Sequence, residues 1–259
     1  MNITSIIHLT KDVTETKKIV QEELTNGTNY FIAVGGDGTV NLLASLLIHT
    51  EAILGIVPRG SGNGLARHLH IPKDIHRAIV KIMKRRIKTI DAIQINDHYA
   101  FNVAGIGFDG YISTLFGQNG KRGLRNYMKL IQKEYLQYKP IEVSILDKKT
   151  PEKKNVITLA FANGSQYGNN ALIAPHAKED DAFMETVSIQ KIPFAFLPAF
   201  FVRVLSGKIL SSKYVSSTSN QSLKIKTNTP VHFHTDGDGK GITDTFEVSV
   251  IKNCLKIFY

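Results

Sequence analysis

Two short apolar runs near the start of the chain each lead straight into a glycine-rich loop and then into a helical pattern. The first is 30–43 (YFIAVGGDGTVNLL) and the second is 53–69 (ILGIVPRGSGNGLARHL). Apolar runs without alternation are typical of parallel strands that are covered on both faces. Glycine lets the backbone approach a ligand closely, and the helix N-terminus that follows offers N–H groups to phosphate. The pattern predicts a parallel α/β unit whose two loops bind one polyphosphate.

Further helical patterns at 11–24 and 74–86, and an apolar run at 3–9 that reads as a strand, extend this βαβα unit. Beyond residue 88 the pattern changes to alternating runs separated by turn signals, which is typical of a β-sandwich. The predicted strands are 89–95, 98–103, 141–146, 156–162, 186–190, 223–226, 231–234, 246–251 and 255–258. We therefore place a domain boundary after residue 92, giving an α/β domain at 1–92 and a β-sandwich domain at 93–259. The last strand is a candidate for returning to the first domain, and the serine-rich 206–222 is the candidate flexible segment.

The chain is strongly basic, with a net charge of +10 over 259 residues. Such a charge favours a polyanionic partner, such as a nucleotide or an anionic membrane surface. A single cysteine, Cys254, excludes an internal disulfide framework. The most apolar stretch, 192–205, is shorter than the ~20 residues of a membrane span and contains Pro198 and Arg203. We expect a cytoplasmic protein, without nucleic acid as a partner.

Several short motifs follow one another in a particular order. Residues 35–39 read GGDGT and 58–63 read PRGSGN, followed by Asp91, by 105–109 (GIGFD) and by 235–238 (TDGD). In this order, through most of the chain, they resemble the signature of the diacylglycerol kinase and sphingosine kinase family. The resemblance implies a nucleotide-binding α/β domain, then a β-sandwich lipid domain, with the active site in the cleft. It also implies an ATP- and Mg²⁺-dependent lipid kinase, peripherally associated with membranes, that transfers the γ-phosphate to the hydroxyl of a diacylglycerol-like or sphingoid lipid.

The resemblance also assigns roles to individual residues. Asp37 and Asp236 are the catalytic candidates, with Asp236 as the general base that accepts the hydroxyl proton. Asp37, Asp91 and Asp109 would form an acid–water–Mg²⁺ network. The residues expected to bind the nucleotide are Gly35, Gly36, Gly38, Thr39, Gly60, Ser61, Gly62 and Asn63. Asp180 and Asp181 resemble an acidic stretch that holds a structural Mg²⁺ in some bacterial members, although the usual following glycine is Ala182 here.

The chain departs from the family pattern at a few places. The family's first β-α unit, with its Asn-Pro-x-Ser-Gly loop, has no counterpart, and Leu42 stands where glutamate is usual. Gly64 stands where many bacterial diacylglycerol kinases have aspartate, and Asp238 replaces a glutamate. These departures leave open a non-catalytic nucleotide- or lipid-binding member, and NAD kinase is a further alternative. The shortened sheet would expose an edge that a homodimer could cover.

Three segments have no role in this scheme. Residues 81–88 and 121–133 are basic and could lie on a membrane surface or simply be solvated helix faces. Residues 194–204 contain four phenylalanines. This segment could form the mouth of an acyl-chain site, but we favour packing in the core.

Overall fold

The computed structural model describes residues 5–118, 123–147 and 152–259. The first part of the chain alternates helices and parallel strands. Its elements are α1 (Val13–Thr25), β1 (Tyr30–Gly35), α2 (Asp37–Leu47), β2 (Ile53–Pro58), α3 (Gly64–His68) and α4 (Ile75–Met83). β1 and β2 pair in parallel over their whole length, so both glycine loops leave the sheet at the same edge. β2 is buried along its whole length, as its unbroken apolar run predicted. The prediction of cover on both faces was wrong for β1, because Tyr30, Ile32 and Val34 on one face are exposed.

The rest of the chain is mostly antiparallel strands, with α5 and α6 inserted after β5 and α7 before β10. Its elements are β3 (Ile87–Ile95), β4 (His98–Ala100), β5 (Val103–Gly107), α5 (Phe108–Gln118), α6 (Leu124–Tyr135), β6 (Ile141–Ile145), β7 (Glu152–Val156), β8 (Thr158–Ala162), β9 (Met184–Ile189), α7 (Leu197–Leu205), β10 (Val215–Asn220), β11 (Ser222–Thr235) and β12 (Asp238–Phe258). Two 3₁₀ turns, Phe194–Phe196 and Ile209–Ser211, flank α7.

The strands form one hydrogen-bonded network in the order β1-β2-β12-β11-β5-β8-β9-β10. β3 also pairs with β12 and β4, and β6 pairs with β11 and β7. The long strand β12 is shared between the two halves, because it pairs with β11 along its first part and runs parallel to β2 at Lys256 and Ile257. The fold is therefore an α/β domain followed by a β-sandwich, which confirms the predicted fold class.

Separate apolar clusters support the two halves. The cluster beneath the glycine loops joins residues of β1, β2 and α2 to Leu255 and Ile257 of β12. A second cluster fills the interior of the sandwich around Phe161 and Phe246, and a third lies under α5, α6 and α7. Because β12 contributes to the first cluster, its end is held by apolar burial as well as by strand pairing. None of the helices in the described residues is long and apolar enough to cross a bilayer.

Some local predictions were wrong. Residues 5–9 form no strand, and Ile6, Ile7 and Leu9 are exposed. A strand requires a hydrogen-bonding neighbour, and in the described residues β1 pairs only with β2. The serine-rich segment predicted to be flexible contains β10, which pairs with β9.

A chain of ionic hydrogen bonds connects α3 and β3 to the loop before β9. His68 Nε2 lies 2.7 Å from Glu179 Oε2, and Lys88 contacts the other oxygen of the same carboxylate. Lys88 Nζ also lies 2.9 Å from Asp180 Oδ2. The lysine therefore pairs with Asp180, one of the two aspartates for which the sequence raised a structural Mg²⁺. The bond to His68, with a further contribution from Lys88 and against the effect of burial, lowers the pKa of Glu179 to about 2.

This network predicts a specific pH dependence of stability. Because the pKa of Glu179 falls from 4.5 to about 2 on folding, its stabilisation is complete above pH 4.5 and is lost as the pH falls toward 2. Glu179→Gln should lower the free energy of unfolding by about 1–3 kcal/mol at neutral pH. Urea unfolding of both proteins at about pH 7 and about pH 3 should show the gap closing at the lower pH. An equal gap at both pH values would contradict this assignment.

Candidate active site

The two glycine loops touch through their backbones. A Cβ atom on Gly60 would lie 2.5 Å from Gly36 Cα and 2.9 Å from Asn63 Oδ1. Real Cβ atoms do not approach backbone atoms so closely, so glycine at Gly60 is a steric requirement of this contact. The loops that the sequence placed at one sheet edge are thus in direct contact.

Asp37 joins the same two loops through its side chain. It is the first residue of α2, and its Oδ1 accepts a hydrogen bond of 2.7 Å from Gly64 N. Its Oδ2 accepts one of 2.8 Å from Asn63 N, so this carboxylate caps the short helix α3. Burial, together with the charge of Asp236, raises the pKa of Asp37, while the two N–H bonds oppose the shift. Asp37 therefore connects the two loops, and its ionised form is disfavoured by burial and by the charge of Asp236.

Asn63 holds the second loop closed. Its Oδ1 accepts from Gly60 N at 2.8 Å and its Nδ2 donates to Gly60 O at 2.7 Å. Its backbone is left-handed, with φ of 52°, a conformation that asparagine tolerates better than most residues. Both polar atoms of its side chain are used within the loop. The structure thus gives this side chain a role in shaping the loop, and nucleotide binding by Asn63, Ser61 and Gly62 stays a prediction.

The N-terminus of α2 is the open side of this arrangement. No side chain caps it at Gly36, and a Cβ atom on Gly38 would meet no other atom within 4 Å. Gly38 and Thr39 are exposed. Gly35 lies beneath Thr39, since a Cβ there would approach Thr39 Oγ1 to 2.5 Å. The N–H groups and the positive end of the helix dipole thus face accessible space, as anion binding requires.

Asp236 reaches the site from the β11–β12 hairpin. Asp236 and Gly237 form a two-residue turn with φ of 49° and 83°, the signature of a type I′ hairpin. Asp236 Oδ1 accepts from Asn102 N at 2.9 Å and Val103 N at 3.0 Å. Its Oδ2 accepts from Phe101 N at 3.0 Å and from Asn41 Nδ2 at 2.8 Å. This carboxylate therefore connects the hairpin, β5 and α2.

The hydrogen bonds of Asp236 bear on its predicted role as general base. An ionised carboxylate offers about four acceptor positions, and here four donors use them. Asp236 can take a proton from a substrate hydroxyl only by giving up one of these bonds. Its role as a base stays a prediction, and the structure adds a positioning role that the sequence did not suggest.

Asp109 lies at the start of α5 and is buried. Its Oδ2 accepts from Tyr167 OH at 2.8 Å and lies 3.2 Å from His234 Nε2. The other ring nitrogen of His234 accepts from Gly237 N at 3.2 Å. Burial first, and then the neighbouring Asp109, raises the pKa of Tyr167 well above its ordinary value. Asp109 thereby anchors the same hairpin turn that contains Asp236.

Asp91 is buried in β3, away from these contacts. Its Oδ1 accepts from Asn253 N and its Oδ2 from Ala182 N, both at 2.7 Å. Its backbone oxygen accepts from the side chain of Asn163. A carboxylate in an apolar strand needs such partners to be buried at all. Asp91 thus stabilises the junction of β3, β12 and the loop before β9.

The three acids predicted to share one Mg²⁺ network do not meet. Asp37, Asp91 and Asp109 each bind different backbone or side-chain groups, and no three His, Cys, Asp or Glu side chains of the described residues are arranged to hold a metal. Each carboxylate binds a separate set of donors, so these acids form no direct three-acid cluster in the described residues, and the acid–water–Mg²⁺ network stays a prediction. Asp37 and Asp236 are instead the pair whose charges interact.

Sequence reasoning overlooked several polar residues around the site. Asn41 bridges Tyr99 O and Asp236, and Asn102 donates to Gln166 O. Asn41 lies two residues after the GGDGT motif and Asn102 opens the apolar run before GIGFD, so proximity to the motifs was the available signal.

The fold and these contacts define a class of protein. Two glycine loops lie at the edge of a parallel sheet beside an uncapped helix N-terminus, in an α/β domain that is completed by a β-sandwich. Solved structures share this fold. A diacylglycerol kinase from Bacillus anthracis superposes with a TM-score of 0.74 at 22% identity, covering 96% of this chain and 83% of that one. An NAD kinase from Archaeoglobus fulgidus in complex with ATP superposes with a TM-score of 0.52 at 12% identity, covering 96% of this chain and 90% of that one.

Family models assign the chain more closely. Residues 2–95 match the diacylglycerol kinase catalytic domain, and residues 103–259 match the YegS C-terminal NAD kinase beta sandwich-like domain. The "probable lipid kinase YegS-like" protein of Yersinia enterocolitica is 29% identical over 98% of this chain and 86% of its own length. A protein of the same name from Pectobacterium atrosepticum is 32% identical over 69% of this chain and 62% of its own length. The chain belongs to the YegS-like lipid kinase family, as its motif order predicted.

The contact between the loops makes a prediction about stability. Gly60→Ala should lower the free energy of unfolding by about 1–3 kcal/mol, because its Cβ would overlap Gly36. Gly117→Ala is the matched control. A Cβ there meets nothing within 4 Å in α5, so the change should be neutral or stabilising by up to about 1 kcal/mol. Urea denaturation of the three proteins measures both effects, and an unaltered Gly60→Ala protein would show that the loops separate easily.

Proposed function

We propose that the chain is an ATP- and Mg²⁺-dependent kinase that phosphorylates the hydroxyl of a diacylglycerol-like or sphingoid lipid. The observation that supports this most is Asp37, whose carboxylate fixes the second glycine loop while the uncapped N-terminus of α2 stays accessible beside it. A phosphoryl transfer depends on positioning and charge stabilisation, and this arrangement supplies both.

In the proposed complex the phosphates of ATP lie against the α2 N-terminus, beside Gly38 and Thr39, with Ser61 and Gly62 on the second loop. The loops exclude side-chain bulk where they touch, which allows the phosphates to approach backbone N–H groups. The dipole of α2 adds favourable charge at this position. Anion binding by backbone groups would not need a lysine of the Walker type, which the chain lacks.

The acids of the site suit a Mg²⁺ that accompanies the nucleotide. Asp37 and Asp236 interact as like charges, and no Lys or Arg of the described residues forms an ion pair with either. A hard divalent cation prefers carboxylate and phosphate oxygens, so this pair fits it. Mg²⁺, when bound, would neutralise charge on the transferring phosphate. Asp37 is the residue that would hold it, through its carboxylate or an intervening water.

On the acceptor side, Asp236 and its partners would orient the lipid hydroxyl. In our proposal Asp236 exchanges one of its present donors, most simply the Asn41 side chain, for the hydroxyl of the acceptor. It can then accept the hydroxyl proton as the bond to phosphorus forms. Asp109, through His234, keeps the Asp236 turn in place during this exchange. Asp91 supports the surrounding strands and does not take part in the chemistry.

The direct test is transfer of labelled γ-phosphate from ATP with Mg²⁺ to micellar diacylglycerol, sphingosine, ceramide and a polyprenol, with NAD as a further acceptor. Label in one lipid class is the expected result, and it names the acceptor. Label in NAD would favour the NAD kinase alternative. ATP binding without transfer to any acceptor would favour a non-catalytic, binding-only protein and overturn the proposal.

Asp37→Asn separates catalysis from folding. Asparagine has one side-chain oxygen, so one of the N–H groups of Asn63 and Gly64 loses its acceptor, which should cost about 1–3 kcal/mol of stability. Transfer should fall to background in a protein that remains folded by circular dichroism. A fully active Asp37→Asn protein would contradict the mechanism.

Gly38→Ala tests the proposed position of the phosphates. Because Gly38 is a helical residue with open space at its Cβ, alanine should stabilise the fold by up to about 1 kcal/mol. The added methyl group projects from the first turn of α2, where the phosphates are proposed to lie. ATP affinity should therefore drop at least about tenfold, or about 1.4 kcal/mol, by calorimetry. Unchanged ATP affinity would show that the phosphates do not bind at the N-terminus of α2.

A further inference from the structure

The segment around α7 has an unusual charge distribution. From residue 186 to residue 235 the sequence contains no Asp or Glu. The same stretch contains six cations, which are Lys191, Arg203, Lys208, Lys213, Lys224 and Lys226. A surface of this composition repels other basic surfaces and attracts anionic ones.

The same segment presents large apolar side chains to solvent. We call Phe194, Phe196, Val202 and Leu205 the α7 ridge. Phe194 is 60% exposed, Phe196 55% and Val202 65%. Packing in the core, which the sequence favoured for this segment, is therefore wrong for these residues. Several exposed apolar side chains of this size within twelve residues of chain indicate an interaction surface.

Three cations lie close to the α7 ridge in the chain. Arg203 lies on α7 and donates to Ser211, which fixes its position beside Val202. Lys208 is exposed, and Lys213 Nζ lies 5.3 Å from the ring of Tyr214. None of these three side chains forms an ion pair with an acid in the described part of the chain. The ridge thus combines exposed apolar side chains with nearby cations that no acid of the described residues neutralises.

The α7 ridge is connected to the candidate active site. Leu172 N donates to Val204 O on α7 at 3.1 Å. A short way back along the same loop, Gln166 O accepts from Asn102, and Tyr167 OH donates to Asp109. One loop therefore contacts α7 at one end and residues around the Asp236 turn at the other.

From these observations we propose that the α7 ridge inserts into the surface of an anionic lipid bilayer. Aromatic and branched side chains enter the interface, and Arg203, Lys208 and Lys213 meet anionic head groups. Charge complementarity favours this partner over a second copy of the chain, because a ridge-to-ridge contact would bring like charges together. The inference rests on the proposed function, in which the acceptor is a membrane lipid, and it names the surface that brings the site to that lipid.

Vesicle co-sedimentation without nucleotide tests the surface independently of catalysis. The full chain is mixed with vesicles of phosphatidylcholine alone or with added phosphatidylglycerol. We expect binding to the anionic vesicles that weakens with salt. The double variant Phe194→Ser/Phe196→Ser should reduce partitioning at least about tenfold. The matched control is Ile79→Ser/Met83→Ser, which removes similarly exposed apolar side chains from α4 beside the other basic cluster and should bind normally.

Two comparisons keep the outcomes distinct. Thermal unfolding should be unchanged in both double variants, because all four side chains are exposed. Transfer to a water-soluble short-chain diacylglycerol should be equal in the ridge variant and the unaltered chain, so a loss confined to vesicles supports the docking surface. Absence of transfer in both proteins would instead count against the kinase proposal alone.

Three results would overturn the proposal. They are no binding of the unaltered chain to anionic vesicles, undiminished binding by the ridge variant, and a loss of binding confined to the α4 control. Gel filtration adds a fourth arm. A dimer that the ridge substitutions dissociate would assign this surface to a second copy of the chain.

Discussion

The pair of hydrogen bonds from Asn63 N and Gly64 N to the Asp37 carboxylate is the interaction on which the site depends. It orients the start of α3 and holds the second loop against the first, where Gly36 and Gly60 touch. Asn63 and Gly64 take two of the acceptor positions of this carboxylate, and Gly36 has no side chain, so the N-terminus of α2 has no side-chain cap and is open to an anion. Asp37 thus caps the N-terminus of α3, while the N-terminus of α2 keeps its N–H groups available to a ligand.

A second carboxylate joins the two halves of the molecule. Asp236 projects from the β11–β12 hairpin and binds three consecutive backbone N–H groups as well as Asn41 of α2. β12 continues from that hairpin into the first sheet and packs in its core. Strand pairing and apolar burial therefore fix the position of Asp236 relative to the first half of the chain.

Charge is distributed unevenly between the interior and the surface. The acids of the site are buried or half-buried and are satisfied by backbone donors, whereas many of the cations lie on exposed surfaces. A net positive exterior attracts nucleotides and anionic lipid surfaces over long range. Local acids at the site disfavour bare phosphate, which is why the proposed complex includes a cation beside the phosphates.

The sequence by itself determined the fold class, the position of both glycine loops and the order of the acidic motifs, because glycine placement and apolar periodicity are local properties. It did not determine which donors each acid binds. Asp37, Asp91 and Asp109 appear equivalent in the sequence, yet each is held by a different loop or strand. Nor could it predict that Phe194 and Phe196 before α7 are exposed, since their burial depends on whether another element packs over them. Tertiary structure decided these points, because they depend on contacts between residues far apart in the chain.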